Sequence, residues 1–260
     1  MARVSVNYED HIAKVTLTRG DKMNALDPDM MEAIVAAGQE VAQSDARAVV
    51  LSGEGKSFCA GLDMASFGTL GQGDVEGRLM ERSHHDANLF QEVALIWRRV
   101  PVPVIAALQG VVYGGGMQLA LGADIRIAAP DTKLAIMEMK WGLVPDMGGM
   151  VLLPELVRSD VLRQLTYTAA PVGAEQAERW GLVTSISDDP LAAATELATE
   201  ISSKSPSAIR GAKRLIELCE SQDRKEVLLA ESAEQAKLIG KPEQMEVIAA
   251  QMQGRKPVFG

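Results

Sequence analysis

Two apolar-rich runs, Val4–Asn7 and Ile12–Leu17, flank the polar stretch Tyr8–His11 and predict a β-hairpin. Asp27-Pro28 then opens a helix, with Asp as the N-cap and Pro in the first turn, and Met31, Ile34, Val35 and Val41 form its apolar side. Ala48–Leu51 predicts the next strand. Leu89, Val93, Ile96 and Val100 recur at helical spacing and predict a helix running to about Arg99. Val102–Leu108 is β-branched and wholly apolar, the pattern of a buried strand, and Gly110 ends it. Gly114, Gly115 and Gly116 lead into Met117, Leu119, Ala120 and Leu121, which fit a buried helix. Further strands are predicted at Asp124–Ala128, Lys133–Ile136 and Leu182–Ile186, with a turn-rich loop at Trp141–Gly149 and a helix at Ala174–Trp180. From Leu191 strand signals fade, and helices are predicted near 191–203, 206–221, 223–239 and 242–253. The chain thus divides into a β/α core over residues 1–190 and a helical region over 191–260.

Composition narrows the class. With 260 residues, 47% of them hydrophobic, the chain is long enough for one large core with an appendage. A net charge of −9 argues against general nucleic-acid binding. Two cysteines, Cys59 and Cys219, make neither a disulfide framework nor a metal cluster and fit a reducing compartment. The start, MARVSVNYEDH, lacks an apolar signal core, and no run of about 18 apolar residues occurs. The expectation is a soluble, cytoplasmic protein with no membrane partner.

Candidate chemistry sits at two glycine turns, each following a predicted strand: SGEGKSFCAGLD (52–63) and GVVYGGGMQ (110–118). A strand, a glycine turn and a helix start leave backbone N–H groups unpaired at a crevice, with a positive partial charge from the helix. That arrangement receives a negative oxygen, on a phosphate or on a reacting carbonyl. Tight packing alone also explains such glycines. GEGKS (53–57) is not a nucleotide P-loop, because the glycine required five residues before Gly55 is Val50. No GxGxxG follows the first strand, so a dinucleotide fold is unsupported. His11, His84 and His85 lack metal-ligand spacing, and no histidine is placed to activate Cys59, which reads as a buried filler.

Taken together, RGDKMNAL (19–26), SGEGKSFCAGLD (52–63), PVPVIAALQGVVYGGGMQLALGAD (101–124), LAIMEMKWGLVPDMGG (134–149), AERWGLV (177–183) and GRKPVF (254–259) resemble the crotonase, or enoyl-CoA hydratase/isomerase, family over nearly the whole chain. The resemblance implies an α/β fold, a spiral of ββα turns forming two stacked sheets, with C-terminal helices that build a homotrimer or a hexamer of two trimers. It implies an acyl-CoA thioester as substrate and no cofactor other than the coenzyme A that the substrate carries. It places the backbone N–H groups of Ala60 and Gly115 in an oxyanion hole for a thioester enolate. It sets Lys22, Ala25 and Leu26, together with the Ala60, Gly61, Leu62 and Asp63 turn, along the CoA, with Asp63 near the adenine. Lys22 also reads as an ordinary solvated charge. Arg255, Lys256 and Phe259 match a tail that closes over the CoA of the same or a neighbouring subunit, and Gly68–Gly77 is expected to be a mobile loop beside the acyl pocket.

The proton carriers depart from the hydratase pattern. Hydratases of the family have a glutamate three residues past the middle glycine and another on the later loop; here these positions hold Gln118 and Glu138. An amide orients water but takes no proton, so two-carboxylate hydration is disfavoured. Asp146 adds a second acid where some double-bond isomerases of the family have one. Asp146 also reads as the N-cap of a helix starting near Gly148, and Glu138 as half of an ion pair. If both line the pocket, their like charges and partial burial raise one pKa. The reading is an enoyl-CoA isomerase or isomerase-like hydratase. Another enolate reaction on a CoA thioester, hydrolysis or decarboxylation, and a non-catalytic acyl-CoA-binding protein are the alternatives.

Overall fold

The computed structural model describes residues 2–66 and 72–259. Strands β1 (Val4–Glu9) and β2 (Ile12–Leu17) form the predicted hairpin, with Glu9 opposite Ile12. Asp10 and His11 take the left-handed conformation between them, the two-residue turn whose twist matches antiparallel strands. Helix α1 (Pro28–Ala42) is capped by Asp27, whose carboxylate accepts from the Met30 N–H. Strand β3 (Ala48–Gly53) follows. Gly68 and Gly71 of the predicted loop lie outside the described residues; Gly77 falls within a short helix, α2 (Val75–Met80), rather than in a loop. Helix α3 (Leu89–Arg99) starts with a reciprocal cap between Asn88 and Gln91.

Strand β4 (Val104–Leu108), the short β5 (Val111–Tyr113), helix α4 (Gly115–Leu121), β6 (Ile125–Ala128) and β7 (Lys133–Ala135) come next. Helices α5 (Gly149–Leu156) and α6 (Ser159–Thr168), β8 (Val172–Gly173), α7 (Ala174–Trp180) and β9 (Ser185–Ile186) complete the core. The long sheet has the order β1-β2-β3-β4-β6-β9, antiparallel at β1–β2 and parallel beyond. Because β2, β3, β4 and β6 run the same way, their C-terminal ends share one rim. The loops leaving that rim build a second layer. Leu26 bridges Leu62, Cys59 bridges Val112, and β5-β7-β8 form a three-stranded sheet. This repetition of long-sheet strand, second-layer strand and helix is the expected ββα spiral with two stacked sheets.

The sequence pattern does not predict β5, since Val111–Tyr113 is too short for a period to show. The main core fills the space between the sheets and α1, α3 and α4, around Trp97, Phe58, Leu51 and Met117. Helix α8 (Pro190–Ser202) covers the other face of the long sheet, setting Ala194 and Ala198 against Ile12, Val50, Ile105 and Ile127. The first helix beyond the change in composition is therefore a layer of the core. Helices α9 (Pro206–Cys219), α10 (Arg224–Leu238) and α11 (Pro242–Met252) follow as predicted, and α10 buries none of its residues within the chain. Lys213 fastens α9 to the core by donating to Trp97 O, Val102 O and Asp124 Oδ2.

The tail departs from one of its two expected placements, closure over the site of its own subunit. Arg255 pairs with Glu246, and Phe259 lies 5.9 Å from the Arg47 guanidinium while its carbonyl accepts from Arg47 Nη2. Arg47 immediately precedes β3, at the end of the parallel strands opposite the rim. The tail is thus held away from the rim of its own chain.

Candidate active site

The turn after β3 carries the first half of the site. Its N–H groups have definite destinations. Cys59 N–H donates to Val111 O, Ala60 N–H to Met23 O at 2.9 Å, and Asp63 N–H to Leu26 O at 2.9 Å. The Gly61 N–H reaches the Cys59 sulfur. Leu62 N–H alone in this turn has no partner among the described residues. The cause is Gly61, whose φ of +89° breaks the strand's alternation, so the N–H groups on both sides turn to the 23–26 segment and that of Leu62 turns away. A Cβ on Gly61 would lie 2.6 Å from Tyr113 O and 3.6 Å from Gly115 N, so this turn touches the second glycine turn backbone to backbone. The expectation for Ala60 is therefore corrected. Its N–H is consumed by Met23, and the open donor of the FCAGLD turn belongs to Leu62.

The second half is the start of α4. Gly114 N–H donates to Ala135 O, and Gly115, as the first helical residue, has no intrahelical acceptor for its own N–H. No other partner for it exists among the described residues. A Cβ on Gly115 would fall 2.6 Å from Met147 Sδ and 2.9 Å from Leu26 Cδ1, so only glycine fits here without displacing neighbours. The bare N–H groups of Leu62 and Gly115 thus flank one crevice.

Gln118, on the first turn of α4, is buried and makes three short hydrogen bonds. Nε2 donates to Glu138 Oε1 at 2.7 Å, while Oε1 accepts from Met147 N–H and Gly149 N–H, both at 2.9 Å. Its carbonyl oxygen is saturated, so the expected water-orienting role falls away; Gln118 brackets protein groups instead. Glu138 opens a 3-10 turn, Glu138–Trp141, and forms no ion pair among the described residues. Its second oxygen, Oε2, is buried without a hydrogen-bond partner. Burial raises the Glu138 carboxyl above its ordinary value; its own backbone N–H, the Gln118 donor and the Met137 N–H oppose the rise, and the charge of Asp146 adds to it. Asp146 caps no helix, because α5 begins after Gly148 with no side-chain cap. Partial desolvation raises its carboxyl as well. The charge of Asp146 thus reaches Glu138, and both alternative structural roles are excluded.

The remaining predicted residues form a scaffold next to this crevice. Leu26 is buried against Gly115, Ala25 is buried, and Lys22 is exposed near Asp63, whose carboxyl its charge helps to lower. Asp63 is not a free carboxylate. It accepts from Ala65 N–H and pairs with Arg19 at 2.6 Å, which together hold it below the usual carboxylate range. Arg19, absent from the predicted set, is the hub here: it also donates to Ala25 O and approaches Asp27. Asn24, also missed, accepts from Arg19 N–H and donates to Glu54 O and Ser57 O, tying the first two loops of the rim together. The Asn in MNAL was the available signal, since Asn tolerates the left-handed φ of 53° found there. Cys59 is fully enclosed, its thiol pushed up to about 12, and is inert as the sequence suggests.

Comparison with known proteins places this geometry in context. The family described as enoyl-CoA hydratase/isomerase matches residues 7–260. A Mus musculus protein named Delta(3,5)-Delta(2,4)-dienoyl-CoA isomerase, mitochondrial, is 35% identical over 231 residues, 83% of this chain and 68% of the relative. Its Dictyostelium discoideum namesake is 27% identical over 99% of this chain and 90% of its own. The crystal structure of an enoyl-CoA hydratase from Bacillus anthracis superposes with a TM-score of 0.88 at 28% identity, covering 99% of this chain and 98% of that one.

Proposed function

The chain belongs to the enoyl-CoA hydratase/isomerase family, and on that premise we propose that it shifts a carbon–carbon double bond in an enoyl- or dienoyl-CoA thioester by proton transfer through an enolate. One observation carries the reading. Glu138 and Asp146 are both raised at a site without a cation, while the other hydratase position holds a neutral amide whose carbonyl is already saturated. Like-charged neighbours that share a desolvated site disfavour double ionisation, so one of the two holds its proton to higher pH than the other. The ionised carboxylate removes a proton from the carbon next to the thioester carbonyl. The electron pair moves into the carbonyl, and the enolate oxygen is held by the N–H groups of Leu62 and Gly115. Collapse of the enolate returns a proton, from the other carboxyl, to the distal carbon of the conjugated system. No atom is gained or lost, as isomerisation requires. Each N–H donor aimed at the developing charge contributes about 3 kcal/mol.

The CoA handle would run along Lys22, Ala25, Leu26 and the Gly61–Asp63 turn, whose shape Arg19 maintains. Proton transfer between two carboxyls calls for no cofactor beyond that handle. A homotrimer or hexamer completes the reading, supported by α10, none of whose residues is fully buried within its own chain, and by the exposed Leu228 and Leu229 on it; the cytoplasm is the compartment we propose for it. The isomerase names of the mouse and Dictyostelium relatives add support.

The test is turnover of the purified protein with crotonyl-CoA, a 3-enoyl-CoA and a 3,5-dienoyl-CoA, followed by absorbance of the conjugated thioester. Rapid 3-enoyl or dienoyl conversion with feeble hydration is expected. Efficient hydration of crotonyl-CoA overturns the preference for isomerisation, and silence on all three directs attention to another enolate reaction or to binding alone.

A further inference from the structure

We propose that Gln118 is the positioning residue of this site: its three hydrogen bonds leave Oε2 of Glu138 as the one oxygen that receives the substrate proton and hold the Asp146 segment in register with it. The geometry allows only one orientation of the amide. Its oxygen faces two backbone N–H donors, Met147 and Gly149, both at 2.9 Å. Turning the amide over would set an NH2 group against both of them. The NH2 group is therefore committed to Glu138 Oε1 at 2.7 Å. That donor favours the ionised carboxylate and blocks protonation of Oε1. The partner oxygen, Oε2, is buried and has no partner among the described residues. A carboxylate oxygen kept dry and unpaired is costly unless its partner arrives with the substrate.

The same side chain spans the two acids. Met147 follows Asp146 directly, so the bond from Met147 N–H fixes the peptide on which Asp146 hangs. Gly149 begins α5, and a Cβ there would lie 2.8 Å from Gln118 Oε1, so the segment is pressed onto the amide. Among the described residues, the groups facing Glu138 are this neutral amide, the backbone N–H groups of Met137 and Glu138, and the acid Asp146, with no Lys or Arg in ion-pair reach. A glutamate at 118 would keep the two backbone bonds but set a second carboxylate against Glu138. Residue 118 thus determines whether the site holds one free base beside Asp146 or a proton-sharing pair at 118 and 138.

The inference rests on the isomerase reading for its kinetic consequence, but its central test does not need turnover. Protein carrying ¹³C-carboxyl glutamate is titrated by NMR, with Glu138 assigned from the signal missing in Glu138→Gln. In Gln118→Met the Glu138 titration is expected to move up by about one pH unit, the worth of one hydrogen bond to a charged group. On a substrate that turns over, the acidic limb of kcat/KM moves with it, and kcat falls by about tenfold or more while KM changes little. Gln118→Glu retains the acceptors for Met147 and Gly149 and is expected to fold like the wild type. In that variant the 118/138 pair titrates jointly, with its upper apparent pKa above that of Gln118→Met.

A lower Tm in Gln118→Met with an unmoved Glu138 titration overturns the proposal and leaves Gln118 a packing residue. If Gln118→Met fails to fold, Gln118→Glu decides, and independent titration of Glu138 at its wild-type position there overturns the proposal equally. Shifted titrations in a protein that isomerises nothing uphold the positioning role and sink the isomerase reading. Isomerase turnover with unshifted titrations does the reverse.

Discussion

Two of the places where the chain withdraws charge from water treat it in opposite ways. Between α9 and the core, Lys213 donates to two backbone carbonyls and to Asp124, and Asp124 Oδ2 also accepts from Val104 N–H. Burial lowers the lysine, the aspartate opposes that, and the cluster lies among well-packed neighbours. At the rim, Glu138 has a single side-chain hydrogen bond, help from the backbone N–H groups of Met137 and Glu138, no cation among the described residues, and a like-charged neighbour. A buried charge with every valence met contributes to holding elements in place; one left unmet costs stability and persists where a ligand completes it. The first cluster is a fastening, and the second is where the proposed chemistry would act.

Four substitutions put that contrast at risk. Glu138→Gln is expected to cost about 10²–10⁴-fold in turnover, the span of a lost general base, while making the fold more stable at neutral pH. The sign follows from the raised carboxyl: the ionised form is penalised in the fold, so stability is fullest below the unfolded carboxylate pKa and falls as pH rises through the folded one. The Tm difference between variant and wild type should be widest at neutral to alkaline pH and close in acid. Lys213→Met should do the opposite, lowering stability by about 3–5 kcal/mol through the stranded Asp124 charge while leaving kcat per folded molecule unchanged; denaturant midpoints and active-site titration separate the two. Gly115→Ala forces a Cβ against Met147 Sδ and should cost about 10–100-fold in kcat, with partial recovery when Met147→Ala makes room. Arg19→Gln frees Asp63 from its ion pair and should raise KM by about threefold at nearly constant kcat.

Much of the architecture was legible because β2, β3 and β4 are distinct apolar runs and the late helices begin at Pro with a preceding cap or turn residue. The glycine turns marked the candidate site, and the structure sets Gly115 beside Met147 and Glu138 beside Gln118 there. What stayed hidden depended on backbone direction or on distance along the chain. Side-chain identity in FCAGLD does not say which N–H faces the crevice; the φ of Gly61 does, and it moves the donor from Ala60 to Leu62. Gln118 could be judged by its missing acidity, but its bonds to Met147 and Gly149 bridge about thirty residues of sequence and arise only when α4 meets the later loop. That the tail does not close over its own subunit was hidden for the same reason: nothing in GRKPVF announces that Arg47 is waiting at the far end of the strands.

The open donor at Leu62 is a main-chain atom, and that has an evolutionary consequence. The genetic code can exchange the leucine side chain for any of eighteen others and still encode the same N–H; proline alone deletes it. Drift at this position therefore reshapes the wall of the crevice while the N–H donor is inherited intact. On the proposed function, a lineage built this way explores new acyl groups without first losing its reaction, which is one physical route by which a single scaffold comes to serve many substrates.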